Sequence, residues 1–304
     1  MSAETASPVA AQPTGVDWLR AALVKHWPLA LGFAIMAVPT VIRLAQQVWP
    51  MEIGAHGPIV LATGIWLFFH IGRELRAEVS RPYLALGFAG CLVGVALYAF
   101  GRPYDLLFVE ALGVYVFFIA AASMLIGTKP LIHHAFPFLY LAFLIPIPGW
   151  IIDAATMPLQ MFVSWASTSV LEALGYPIER TGVVIVIAQY RLLVEEACSG
   201  MNSLIGLTAV MTFYIYVIHR ASLRYSLVLG AAIIPIAVCV NIIRIITLIL
   251  LTYYKGDAVA QGFLHNTTGV VLFALALALT ILFDKVLSLV LSRRTRPEGA
   301  PAHG

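Results

Sequence analysis

The chain has 304 residues, 61% hydrophobic and 11% charged, with a mean hydropathy of +0.93 and a formal net charge of +3. Soluble domains carry about a quarter charged residues, so this composition excludes a soluble globular protein and points to a polytopic membrane protein. The few Lys and Arg sit in short loops, where they set topology, and no cluster forms a nucleic-acid patch.

Residues 1–25 are expected to form a disordered cytoplasmic tail, since Met1–Val16 is rich in Ala, Ser, Thr, Pro and Gly and lacks the basic and apolar regions of a signal peptide. A single membrane domain is expected over 26–291, with a cytoplasmic tail at 292–304 that opens on Arg293, Arg294 and Arg296. A membrane-crossing helix needs about 20 mostly apolar residues. The stretches that qualify are 29–48, 57–71, 82–100, 106–126, 132–148, 201–218, 225–251 and 266–290. The second is short, and the fifth is broken by Pro146 and Pro148. The expected fold class is therefore all-α, a polytopic membrane helical bundle of about eight transmembrane helices.

Loop charge sets the orientation, since basic residues stay on the cytoplasmic side. Arg73, Arg76 and Arg81 fall in loop 72–81, Lys129 in 127–131, and Arg220 and Arg224 in 219–224. The alternate loops hold no more than Arg102 or Lys255. The alternation closes with both termini cytoplasmic if 151–174, which carries Asp153, Gln160, Pro158 and Glu172, is re-entrant or interfacial. Between 175 and 198 the character changes. Val183–Ile187 and Arg191–Val194 predict a short extracytoplasmic β-hairpin, although the turn at Ala188-Gln189-Tyr190 lacks Gly or Asn.

Three residues in three segments then reach one depth. Cys198 lies at the outer start of the sixth span, in Glu195-Glu196-Ala197-Cys198-Ser199-Gly200. Arg244, in Asn241-Ile242-Ile243-Arg244, lies far enough along the seventh to approach the outer face. His265 opens the eighth. A thiolate attacks a peptide carbonyl, an imidazole carries the proton, and a guanidinium stabilises an oxyanion or holds a carboxylate. A charged residue inside a membrane segment marks a functional site by default.

Taken singly, each has a plainer reading: a buried thiol at Cys198, snorkelling at Arg244, an interfacial imidazole at His265. Their shared depth favours function. Asn241, one turn before Arg244, orients it or bonds to another helix. Glu195 and Glu196 position His265, bind a basic substrate group, or in part remain solvated. Cys91 and Cys239 lie in apolar runs and read as packing thiols. His70, His133 and His134 lack Cys or carboxylate at ligand spacing, so no metal and no cofactor is expected.

The Glu196-Ala197-Cys198-Ser199-Gly200, Asn241-Ile242-Ile243-Arg244 and His265 segments, with the Pro146-Ile147-Pro148 break ahead of them, resemble the exosortase/archaeosortase family. The resemblance covers about 130–285, the expected catalytic core; Met201-Asn202-Ser203 departs from the aliphatic-Arg-Ser usual there. It implies a cysteine protease/transpeptidase that processes C-terminal sorting signals of exported proteins at the outer face of a bacterial inner membrane, often beside exopolysaccharide production. Cys198 would be the nucleophile and form a thioester, with Arg244 and His265 completing the site. Glu195, Glu196, Ser199, Gly200, Asn202 and Asn241 would support it or contact substrate. The partners implied are the sorting-signal helix and membrane lipids, with no nucleic acid. The rival expectation is a non-catalytic membrane protein or transporter that binds an anion at Arg244.

Overall fold

A computed structural model describes residues 24–80, 83–193, 199–218, 223–256, 259–260 and 268–294. The helices are α1 (Trp27–Gln47), α2 (Gly57–Ala77), α3 (Leu84–Gly101), α4 (Leu107–Ile126), α5 (Thr128–His133), α6 (Ala135–Tyr140), α7 (Gly149–Ala173), α8 (Ser199–Ile218), α9 (Leu223–Lys255) and α10 (Thr268–Arg294). Between α7 and α8 runs an antiparallel sheet of β1 (Ile178–Thr181), β2 (Val184–Ile187) and β3 (Tyr190–Leu193). Among the described residues four helices are long and apolar enough to cross a membrane: α1, α3, α4 and most of α9. A bent pair, Ala135–Leu144 with Gly149–Ala173, makes a fifth if it is one span. This is a helical membrane protein with a small sheet.

The fifth expected span, 132–148, is not one helix. Pro137 offers no N–H to the carbonyl of His133, so α5 stops there and His134 turns to φ −106°, ψ 41°. After α6, a 3-10 turn (Leu141–Leu144) ends in extended Ile145, and Pro148 (φ −57°, ψ 137°) precedes α7. The proline pair thus breaks the segment between the two arms. The segment expected to be re-entrant or interfacial is a continuous helix of 25 residues. At 1.5 Å per residue it measures about 37 Å, and its break from the preceding arm fits a re-entrant loop as well as a broken span.

The chain divides into two compact units, one of residues 1–43 and 62–145 and one of 44–61 and 146–304. The first is built on the α3–α4 hairpin. The two backbones meet where a Cβ on Gly94 would lie 2.7 Å from the Phe117 nitrogen and one on Gly113 would lie 2.6 Å from the Tyr98 nitrogen. Small residues permit this approach, which gives dispersion contact where water supplies no driving force. Met36, Cys91, Phe117, Ala120 and Ala121 form the adjoining core. At the same hairpin, Glu110 is fully buried. It accepts hydrogen bonds from Thr40 Oγ1 (2.7 Å) and Arg102 Nη1 (3.0 Å), and it pairs with Arg43, which also binds Asp105. A buried carboxylate is tolerated only with such partners.

In the second unit α8, α9 and α10 pack through Leu207, Met211, Ile215, Leu229, Ile233, Val240 and Ala276. Buried Asp284 of α10 ties the three together, accepting from Tyr214 Oη at 2.7 Å and from Tyr225 Oη.

Gly94→Ala should lower unfolding stability by about 1–3 kcal/mol, because its Cβ meets backbone that cannot turn aside. Gly72→Ala, with nothing within 4 Å of its Cβ, should show no loss. Thermal unfolding of the two purified variants in one detergent checks the contrast.

Candidate active site

The second unit holds a buried apolar cluster that joins α7, the sheet and α9. β2 alternates strictly, with Ile185 and Ile187 buried between half-buried Val184 and Val186. Those two isoleucines and Leu192 of β3 pack with Val163 and Leu171 of α7, with Ile245, Leu248 and Ile249 of α9, and with Ala260. The expected hairpin over 183–194 is present as β2 and β3, in the register Val184↔Leu193 and Ile187↔Tyr190. The sequence reading missed β1, which pairs with β2 from Ile178↔Ile187 to Thr181↔Val184. The turn without Gly or Asn is made by Ala188 at φ 52°.

Arg244 lies beside this cluster, one residue before Ile245, and is 2% exposed. Asn241, one turn earlier on the same face, is 4% exposed. Cys198, His265, Glu195 and Glu196 lie outside the described residues. Ser199, Gly200 and Asn202 fall in the first turn of α8, whose first residue, Ser199, directly follows Cys198 in the sequence. Ala260 stands five positions before His265, and α10 opens three positions after it. Leu192 stands six positions before Cys198.

Further polar residues line the inner face of α7. Gln160, Ser164, Ser167 and Thr168 are all buried. Ser164 and Thr168 return their hydroxyls to carbonyls of their own helix, at 2.7 Å to Gln160 and 2.9 Å to Ser164, whereas Ser167 Oγ has no hydrogen-bond partner. Their i, i+4, i+7, i+8 spacing within an apolar segment was the available signal. At the end of α9, Tyr254 Oη lies 2.9 Å from Tyr176 Oη.

One reading of a single residue needs correction. Cys91 is buried as expected, but Cys239 is exposed on α9 rather than packed. In the sequence His133 and His134 have no Cys or carboxylate at ligand spacing. The fold supplies one: Glu78 Oε2 lies 2.7 Å from His133 Nδ1 and 3.6 Å from His134 Nε2.

A helical membrane protein with a buried arginine beside a small sheet, and a cysteine directly ahead of the next helix, defines the class. The chain matches the family model of transmembrane exosortases over residues 49–282 and belongs to that family. No curated protein and no solved structure matches it. Family membership implies a multi-pass membrane transpeptidase of protein sorting.

Ala188→Gly should stabilise the second unit by about 1 kcal/mol, since a positive φ costs an L-residue that much and costs glycine nothing. Ala188 is exposed, so no packing is lost. A rise in the midpoint of thermal unfolding is the expected readout.

Proposed function

We propose that this exosortase is a cysteine transpeptidase with Cys198 as nucleophile, His265 as proton carrier and Arg244 as the cation facing the oxyanion. One observation carries the reading: a single buried cluster contains residues within six positions of each of the three in the sequence. It holds Leu192 ahead of Cys198, Ile245 beside Arg244 and Ala260 ahead of His265. Extended chain covers at most about 3.6 Å per residue. Six and five residues therefore keep Cys198 and His265 within about 22 and 18 Å of those anchors. Burial of Arg244 supports the reading too, because a snorkelling guanidinium would extend to the surface.

The chemistry follows from the groups. His265 takes the thiol proton, and the Cys198 thiolate attacks the carbonyl of the scissile peptide bond. Position ahead of a helix N-terminus favours the thiolate. Arg244 stabilises the tetrahedral oxyanion. Collapse breaks the C–N bond, His265 returns the proton to the leaving amine, and a thioester remains on Cys198. A second nucleophile then attacks the thioester and releases the thiol. Asn241 holds the Arg244 side chain, and Glu195, Glu196, Ser199, Gly200 and Asn202 form the surrounding wall. The substrate is the C-terminal sorting signal of exported proteins. By the loop charges, the site faces the periplasmic side of an inner membrane.

Cys198→Ala and Cys198→Ser should abolish processing of a co-expressed sorting-signal substrate without loss of membrane insertion, while Cys91→Ala and Cys239→Ala process normally. Processing by Cys198→Ala at the wild-type rate would overturn the reading. Arg244→Lys should lose about 100-fold or more in rate, as expected for a displaced oxyanion donor, because an ammonium lacks the planar fork. His265→Ala should slow cleavage while crosslinking to substrate persists. Loss of crosslinking would make His265 a recognition residue instead.

A further inference from the structure

We propose that Glu78, His133 and His134 form a binding site for a divalent transition metal of the zinc type, independent of the transpeptidase residues. On an unbroken helix two consecutive histidines would diverge by about 100°. Here α5 ends at His133, and His134 leaves helical geometry at φ −106°, ψ 41°. The two imidazoles consequently converge, with ring centroids 4.8 Å apart and planes inclined by 42°. Glu78, one residue beyond α2, enters the same space from 55 positions away in the chain. Its carboxylate spans both rings, at 2.7 Å from His133 Nδ1 and 3.6 Å from His134 Nε2. One ligand atom from each of the three residues lies within 4.8 Å of the others.

A second observation points to a ligand. His134 is only 8% exposed, and its Nε2 is buried with no hydrogen-bond partner although the Glu78 carboxylate stands before it. A buried imidazole nitrogen left unbonded has an unmet need for a proton donor or a Lewis acid. Glu74, one helical turn before Glu78, places its Oε2 3.8 Å from His134 Nδ1. That is where a carboxylate outside the ligand set would fix the tautomer and raise the basicity of Nε2.

Donor type selects the metal. Two imidazoles and one carboxylate suit zinc and its neighbours, whereas calcium and magnesium demand shells of oxygen. Tetrahedral coordination at about 2.1 Å places ligand atoms about 3.4 Å apart, so closure needs a shift of about 1 Å. Exposed His133 can supply it. A cavity of about 620 Å³, lined by Ser80, Tyr83, Thr128, Lys129, Ile132 and His133, borders the site and leaves room for water in the fourth position. Lys129 on that wall opposes a cation and keeps the affinity moderate. The ion would pin the segment after α2 to the α5–α6 junction, both at the side that the loop charges predict to be cytoplasmic.

The test titrates Co²⁺ into the Cys198→Ala/Cys239→Ala protein in detergent, which removes the competing accessible thiols, and follows the visible band of low-coordinate Co²⁺. One equivalent, displaced by Zn²⁺, is expected. His134→Ala, Glu78→Gln and exposed His133→Ala should each weaken it at least about tenfold. His70→Ala, whose ring stacks on Trp66, should not. The metal-free midpoint of unfolding shows which variants are folded, and His133→Ala, at the surface, decides the matter if His134→Ala is not. Absence of saturable binding, or binding unchanged in His133→Ala and Glu78→Gln, would leave only a histidine–carboxylate ion pair and overturn the proposal.

Discussion

Docking of the sheet onto α9 is the constraint from which the rest of the second unit follows. Three strands of four residues each are too short to be stable alone. They persist because Ile185, Ile187 and Leu192 are buried against Ile245, Leu248 and Ile249. Full burial of one such side chain is worth about 1.5–3 kcal/mol, so three offset a large part of the cost of ordering the strand pair. A one-residue slip of β2 would bring Val184 and Val186 to the core face and turn Ile185 and Ile187 outward. Register is therefore fixed by the same contacts that hold the sheet. Those contacts lie on the helical turn just beyond Arg244, so the place where the chain leaves β3 for Cys198 is set relative to the arginine.

This arrangement answers a problem of charge in a low-dielectric medium. An isolated guanidinium within an apolar bundle is costly, and proteins keep one only where it has work or partners. The α7 face with Gln160, Ser164, Ser167 and Thr168 makes the inside of this unit less apolar than the helix sequences suggest. Asp284, by contrast, spends its charge on structure, accepting from Tyr214 and Tyr225 to lock α8, α9 and α10. Glu110 does the same in the first unit through Arg43 and Arg102. Each compact unit thus has a buried carboxylate committed to architecture, which separates them from the carboxylates Glu195 and Glu196 in the proposed active site.

What the sequence disclosed was local. The β-branched run Val183–Ile187 declared a strand, Pro146 and Pro148 declared a break, and an arginine within an apolar run announced a buried charge. What it hid was tertiary. Nothing near Glu110 indicates that Arg43, 67 positions away, will cover it. Likewise Glu78 joins His133 only because α2 ends beside the α5–α6 junction. That residues 149–173 form one helix was equally hidden, because Asp153 and Pro158 argue locally against it, whereas its buried face is satisfied by packing against the sheet and α9. Cys239 shows the same limit, since an apolar run does not tell which face meets the protein.

The central claim is that the acyl group of a sorting signal passes through Cys198. The direct measurement is a mass spectrum of the enzyme isolated during turnover, digested under mildly acidic conditions. The account predicts a substrate fragment, ending at the cleaved bond, on the peptide that contains Cys198, lost on treatment with hydroxylamine as a thioester is. Active processing with an unmodified Cys198 peptide at every time sampled, or with the acyl group on another residue, would contradict it.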